Sequence, residues 1–225
     1  MKRVITFIMI MVSILLISGC GSSEIKSYDR IEYDGVEYFH CLDISLAFSD
    51  ASDLASGIER VCEKIGRYEK SDIYIIEGLD QAKWLYFENQ GMIGQTGPDG
   101  LYRAFDVKMD ELADFNPAYI KIVKINYDSL DLAYESNDWS IVTEVANAIN
   151  NGQEVQRNQG LDGDEYYLYF RSEMFPNLEY VLLYFDDSNG EHFIRKEGIF
   201  AGFMHDDASI PYKIDNTIHD ILMNN

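Results

Sequence analysis

Apolar and polar residues follow a period of two over most of this chain, in short runs punctuated by turn residues. "RIEYDGVEYFHCLDI", from Arg30 to Ile44, predicts a hairpin turning at Asp34-Gly35. "SDASDLASG", from Ser49 to Gly57, reads as a loop or short helix. Strand-like segments follow at Ile58–Ile65, Asp72–Ile76, Lys83–Phe87 and Leu101–Phe105. A short helix over Met109–Phe115 is stopped by Asn116-Pro117, and Tyr119–Ile125 reads as a further strand. The period then changes. Ile141, Val142, Val145, Ala146 and Ile149 share one face of a helix over Trp139–Asn150, capped by Asp138 and closed by Asn151-Gly152. The strongest hairpin comes next, with Leu178–Phe185 apolar on both faces, as in a strand inside a sheet, and Ser188-Asn189-Gly190 at its turn. A last short helix holds Ile218, Ile221 and Leu222 behind Asp215 or Asn216.

Strands joined by short turns outnumber helices. The expected fold class is therefore α+β, a mainly antiparallel sheet with hairpins and two or three helices packed on it. Residues 31–126 form a β-rich half and 127–225 an α+β half, either as two closely packed halves or as one continuous domain, with 126–138 as the candidate junction.

The first 30 residues follow another logic. Lys2 and Arg3 precede an apolar run from Val4 to Ile17, too short to span a bilayer, which takes roughly 20 apolar residues. It suits the core of a secretory signal, which small residues follow. Ile17-Ser18-Gly19-Cys20 resembles the lipobox of bacterial lipoproteins, and the chain as a whole resembles their small acidic members, particularly Gram-positive ones. The resemblance implies that residues 1–19 are removed between Gly19 and Cys20, and that the Cys20 thiol carries a diacylglyceryl group. Two acyl chains at about 0.8 kcal/mol per buried methylene anchor stably where one is marginal. Residues 20–30 would then be a short tether. The expected location is the outer side of the cytoplasmic membrane, or the outer membrane in a Gram-negative cell.

Net charge sharpens this picture. The chain carries 39 acidic against 18 basic residues, a formal charge of −21, and loses Lys2 and Arg3 with the signal. Such a surface repels nucleic acid and anionic headgroups, so membrane contact is expected only through the lipid on Cys20. Aromatic content of 13% argues against an acidic disordered chain. Cys41 and Cys62 are an even pair outside the cytoplasm. A bridge would stabilise by about 3 kcal/mol through loop closure, but spacing alone does not show that they meet.

No segment names a reaction. The glycines at 91, 94, 97 and 100 lack the following helix and lysine of a phosphate loop. "DDSNGE", Asp186 to Glu191, fails as an EF-hand loop because Phe185 and Lys196 fall where ligands are needed. None of His40, His192, His205 and His219 forms an HExxH pair. "MHDD" sets His205 beside Asp206 and Asp207, and GxSxG is absent. No metal, cofactor or catalytic residue is assigned. Tyrosines of both parities, as at Tyr166, Tyr167 and Tyr169, either build the sheet core or leave an aromatic face. The expected function is a membrane-tethered binding or interaction module whose partner is an envelope protein, a glycan or a basic peptide. The alternatives are an envelope hydrolase assembled from dispersed carboxylates and His205, or a structural subunit of an envelope complex.

Overall fold

A computed structural model describes residues 28–47, 58, 60–89, 97–109, 111–155, 163–195 and 211–224. The signal segment, Gly19, Cys20 and most of the tether lie outside these residues, as do His205, Asp206 and Asp207. No helix among the described residues is long and apolar enough to cross a membrane.

Among the described residues, fourteen strands form two antiparallel sheets. Sheet A contains β1 (Arg30–Tyr33), β2 (Val36–His40), β4 (Cys62–Tyr68), β5 (Ser71–Ile76), β6 (Trp84–Asn89) and β7 (Gly100–Ala104), in the order β1-β2-β7-β6-β5-β4. Sheet B runs β10-β14-β13-β12-β11-β8-β9. Its strands are β8 (Tyr119–Ile125), β9 (Leu130–Ser136), β10 (Gln153–Glu154), β11 (Gly163–Arg171), β12 (Leu178–Asp187), β13 (His192–Arg195) and β14 (Tyr212–Ile214). The short β3 (Ile44–Leu46) leaves sheet A and pairs with the first part of β12. Among the described residues the complete helices are α1 (Leu112–Phe115), α2 (Trp139–Asn150) and α3 (Thr217–Met223), and Ile58, Arg60 and Val61 are also helical.

The α+β expectation is overturned. Strands hold 50% of the described residues and helices 17%, so this is a β-rich fold of two sheets with three small helices. The physical reason lies in β6. Trp84 and Tyr86 belong to one core cluster while Leu85 and Phe87 belong to another, so sheet A buries both of its faces. One face packs toward sheet B. The other curls around Ile31, Tyr38, Ile73, Leu85, Phe87, Tyr102 and Ala104 until the two edge strands meet. Tyr33 of β1 lies edge-on to Tyr68 of β4 at 6.2 Å, and the Tyr28 hydroxyl donates to Glu69 at 2.7 Å. The bulge between Lys64 and Gly66 assists, with the Tyr33 hydroxyl lying beside Gly66.

The main cluster joins the sheets. It takes Cys41, Ile76, Trp84, Tyr86 and Leu101 from the β1–β7 region, and Ile120, Leu168, Phe170, Tyr180, Leu182 and Ile194 from sheet B. Helix α2 covers sheet B with Val142, Val145 and Ala146, and α3 adds Ile218. Asp34 and Gly35 both take positive φ, as a two-residue hairpin turn requires. Asp138 accepts the Ser140 N–H at 2.8 Å, capping α2. The end of α2 departs from expectation: Asn151 has φ −86° and donates to Asn147 O, so the helix ends without a left-handed residue. The chain at 126–138 is largely β9, an exposed edge strand paired with β8.

Candidate functional site

On β12, Leu178, Tyr180, Leu182 and Tyr184 face the helix-covered core, and the period of two carries Asp186 onto that same face. The following turn sets what lies opposite. Asp187 accepts the Asn189 N–H at 2.9 Å, and Gly190, at φ +74°, donates its N–H to Asp187 O. This closes the β12–β13 hairpin with His192 directly across from Asp186. Gly163 opens β11 on the other side of β12, where a Cβ would collide with the Asp186 carbonyl.

Helix α3 brings the third group. Asp215 accepts the Thr217 N–H at 3.0 Å and starts the helix straight after β14, while Ile218 anchors it in the core. His219 is thereby laid over the end of the sheet. Its Nδ1 lies 3.0 Å from Asp186 Oδ2. His192 Nδ1 lies 3.2 Å from Asp186 Oδ1 and 3.0 Å from the Tyr184 hydroxyl. The two imidazole rings are 5.0 Å apart at 31°. One carboxylate therefore faces two ring nitrogens, one per oxygen. One donor atom from each of the three residues lies within 4.8 Å of the other two.

Exposure is graded across the cluster. The side chain of His192 is 4% exposed, that of Asp186 13% and that of His219 32%. The site thus opens to solvent along His219. Tyr184 is fully buried, and burial together with the Asp186 charge pushes its phenol pKa up, so it remains a hydroxyl. The surroundings are acidic. Asp164 sits across from Asp186 on β11, held by Lys124 at 2.7 Å, and Asp220 follows His219 on α3. A cavity of about 170 Å³ lies further along the same face, lined by Leu112, Ile149, Leu182, Ile194 and Tyr180. The Tyr180 hydroxyl is buried there, with the Asp43 carboxylate nearby.

Within "DDSNGE", which fails as an EF-hand loop, Asp187 serves the turn and Asp186 faces a histidine. The missed signal was the hairpin itself, since a turn at Ser188-Asn189-Gly190 sets Asp186 and His192 across from each other. His40, by contrast, is structural: it stacks on Tyr102 at 5.0 Å, and burial lowers its pKa. Cys41 and Cys62 are free thiols in or against the main core. Burial pushes the Cys62 thiol up to about 12 and that of Cys41 higher still. Of the paired-parity tyrosines, Tyr166 is buried, while Tyr167 and Tyr169 are half-buried on the opposite face, with Lys121 over the Tyr169 ring.

No known family, curated protein or solved structure matches the chain.

Proposed function

We propose that this protein is a lipid-tethered extracytoplasmic binding module, held to the membrane through Cys20, whose ligand seat is the cluster of Asp186, His192 and His219. One observation carries the reading: a nearly buried carboxylate is shared by two imidazoles, one of which opens to solvent. Burying such a set is costly unless each polar atom is partnered. A site that faces both a carboxylate and ring nitrogens toward one opening is suited to holding a polar or cationic ligand. The lipobox residues Ile17-Ser18-Gly19-Cys20 support the tether. The acidic surface leaves the lipid as the membrane contact and favours cationic ligands.

A hydrolase is the second reading, favoured by the Asp186–His219 contact, which is the orienter-and-base half of a hydrolytic triad. No hydroxyl or thiol nucleophile contacts His219 among the described residues, so binding is preferred.

Two measurements test the proposal. Cys20→Ser should release the protein from membranes or leave the signal uncut; normal processing and full membrane retention would refute the tether. Thermal melting against metal ions, glycans and basic peptides should give a shift that His219→Gln abolishes. A ligand at 100 times its Kd stabilises by about 2.7 kcal/mol.

A further inference from the structure

We infer that the ligand of the cluster is a single divalent transition-metal ion of the zinc class, bound by Nδ1 of His192, Nδ1 of His219 and the carboxylate of Asp186, with one coordination position open. This deepens, and rests on, the binding-module reading. The donor set selects the ion. Two imidazoles and one carboxylate suit zinc and its borderline neighbours, whereas calcium and magnesium require shells of oxygen.

The geometry is close to what such an ion needs. Donors about 2.0–2.1 Å from a tetrahedral zinc lie about 3.3 Å from one another. The two nitrogen–oxygen separations here are 3.2 and 3.0 Å. With all three donors inside 4.8 Å, closing the site takes a small inward turn of one ring. His219 is free to make it, because its side chain is 32% exposed on a short helix. His192 and Asp186 are fixed by the hairpin register, so two of the three ligands are positioned before the ion arrives. The open position points out along His219, where water or a group from a partner molecule completes the shell.

Tyr184 has a defined part in this. Its hydroxyl hydrogen-bonds the same Nδ1 of His192 that the metal requires. It therefore competes with the ion for that nitrogen. Removing it should tighten metal binding, whereas a ligating tyrosine would weaken binding on removal. A hydrogen bond of ordinary net strength corresponds to a gain of about twofold to tenfold.

The test uses the purified full-chain protein with zinc sulfate, cobalt chloride and calcium chloride, each with a chelator control. Zinc should bind at one ion per chain and raise the melting temperature reversibly, and calcium should do neither. Cobalt should give the visible absorption of a four-coordinate site. His219→Gln, at a partly exposed position, should melt like the parent without zinc and bind zinc more than about 100-fold more weakly, beyond the roughly 10- to 100-fold cost of losing a supporting hydrogen bond. Asp186→Asn should do the same, and Tyr184→Phe should bind more tightly than the parent. Equal zinc binding by the parent and His219→Gln would overturn the assignment. A shift with a basic peptide or glycan that His219→Gln abolishes, with zinc inert, would overturn the metal and leave the binding site standing. Inertness to every ligand would overturn both.

Discussion

Sheet A curls until β1 and β4 touch and fills the enclosed space with its own side chains, whereas sheet B stays open and relies on α1, α2 and α3 to cover one face. The difference extends to their buried charges. In sheet A, Asp72 is buried but has Lys64 at 2.6 Å and Arg67 at 4.0 Å, so its charge is balanced by cations with partly exposed stems. Glu179 of sheet B is treated likewise: burial raises its pKa, and Arg171 at 2.6 Å opposes that shift. Asp186 is treated otherwise. It has two imidazoles and no lysine or arginine in contact among the described residues. A carboxylate neutralised by a cation is used up by the fold, while one facing two ring nitrogens retains ligating capacity. The open sheet makes that possible, because its uncovered end leaves room for α3 to lay His219 across it.

The largest test asks whether the two sheets are one cooperative unit. Phe87 lies at the centre of the curled core and Phe170 in the shared core, and both are fully buried. Each change to alanine should cost about 3–5 kcal/mol. Because β3 pairs with β12 and the main cluster draws on both sheets, both variants should still unfold in a single transition. The chain has two tryptophans, Trp84 in β6 and Trp139 on α2. A Trp139→Phe background lets Trp84 fluorescence report sheet A while far-ultraviolet dichroism follows the whole fold. Separate midpoints for Phe87→Ala would break the picture of a shared core. The next effect in size is the metal. Zinc at 100 times the parent's Kd should add about 2.7 kcal/mol to the parent and at most about 0.4 kcal/mol to His219→Gln, and both sheets should gain it together if they unfold together.

A smaller effect separates His40 of sheet A from the two histidines of the candidate site. Burial lowers the His40 pKa below its ordinary value near 6.5, so the folded state resists protonation there. The stability this group contributes is complete above about pH 6.5 and is lost as pH falls from there through its lowered folded value. His40→Phe keeps a ring against Tyr102 and removes the proton site. Its melting temperature should fall less steeply with acid over that window than the parent's. Parallel curves would show that His40 carries none of the acid sensitivity.

How much of this was legible follows the range of the interactions. Tyr119–Ile125 and Trp139–Asn150 were read with their observed bounds, because one strand pleat and one amphipathic stripe are local patterns. The two-faced apolar run of β12 correctly announced an inner strand. β9 was missed: Leu130, Asp131, Leu132 and Ala133 are all exposed on an edge, so burial imposed no alternation to read. The fold class failed for a related reason. The expectation of helices packed on one sheet did not allow for sheet A, where a second face is buried by curling, which depends on Tyr33 meeting Tyr68 across the sheet. At the candidate site the Asp186–His192 pair was implicit in the turn. His219 was not, because its place depends on how α3 docks after β14.

The smallest effect probes the seam between the sheets. Cys41 follows β2 and Cys62 begins β4, and both pack at the main cluster where sheet A meets sheet B. With the Cys62 thiol pushed up to about 12, only about one molecule in 10,000 is thiolate there at pH 8, and fewer at Cys41. Alkylation of the folded protein should therefore be very slow at both positions, and Cys41 and Cys62 should both become labelled on unfolding without reductant. If neither did, the pair would be bridged in the cell. The temperature and denaturant dependence of labelling then sharpens the comparison. Where the seam opens only on global unfolding, labelling should track the full unfolding free energy and slow when zinc is added. Faster labelling, indifferent to zinc, would mean that sheet A lifts from sheet B while the histidine site stays closed, and the curled sheet would be a separate unit resting on the open one.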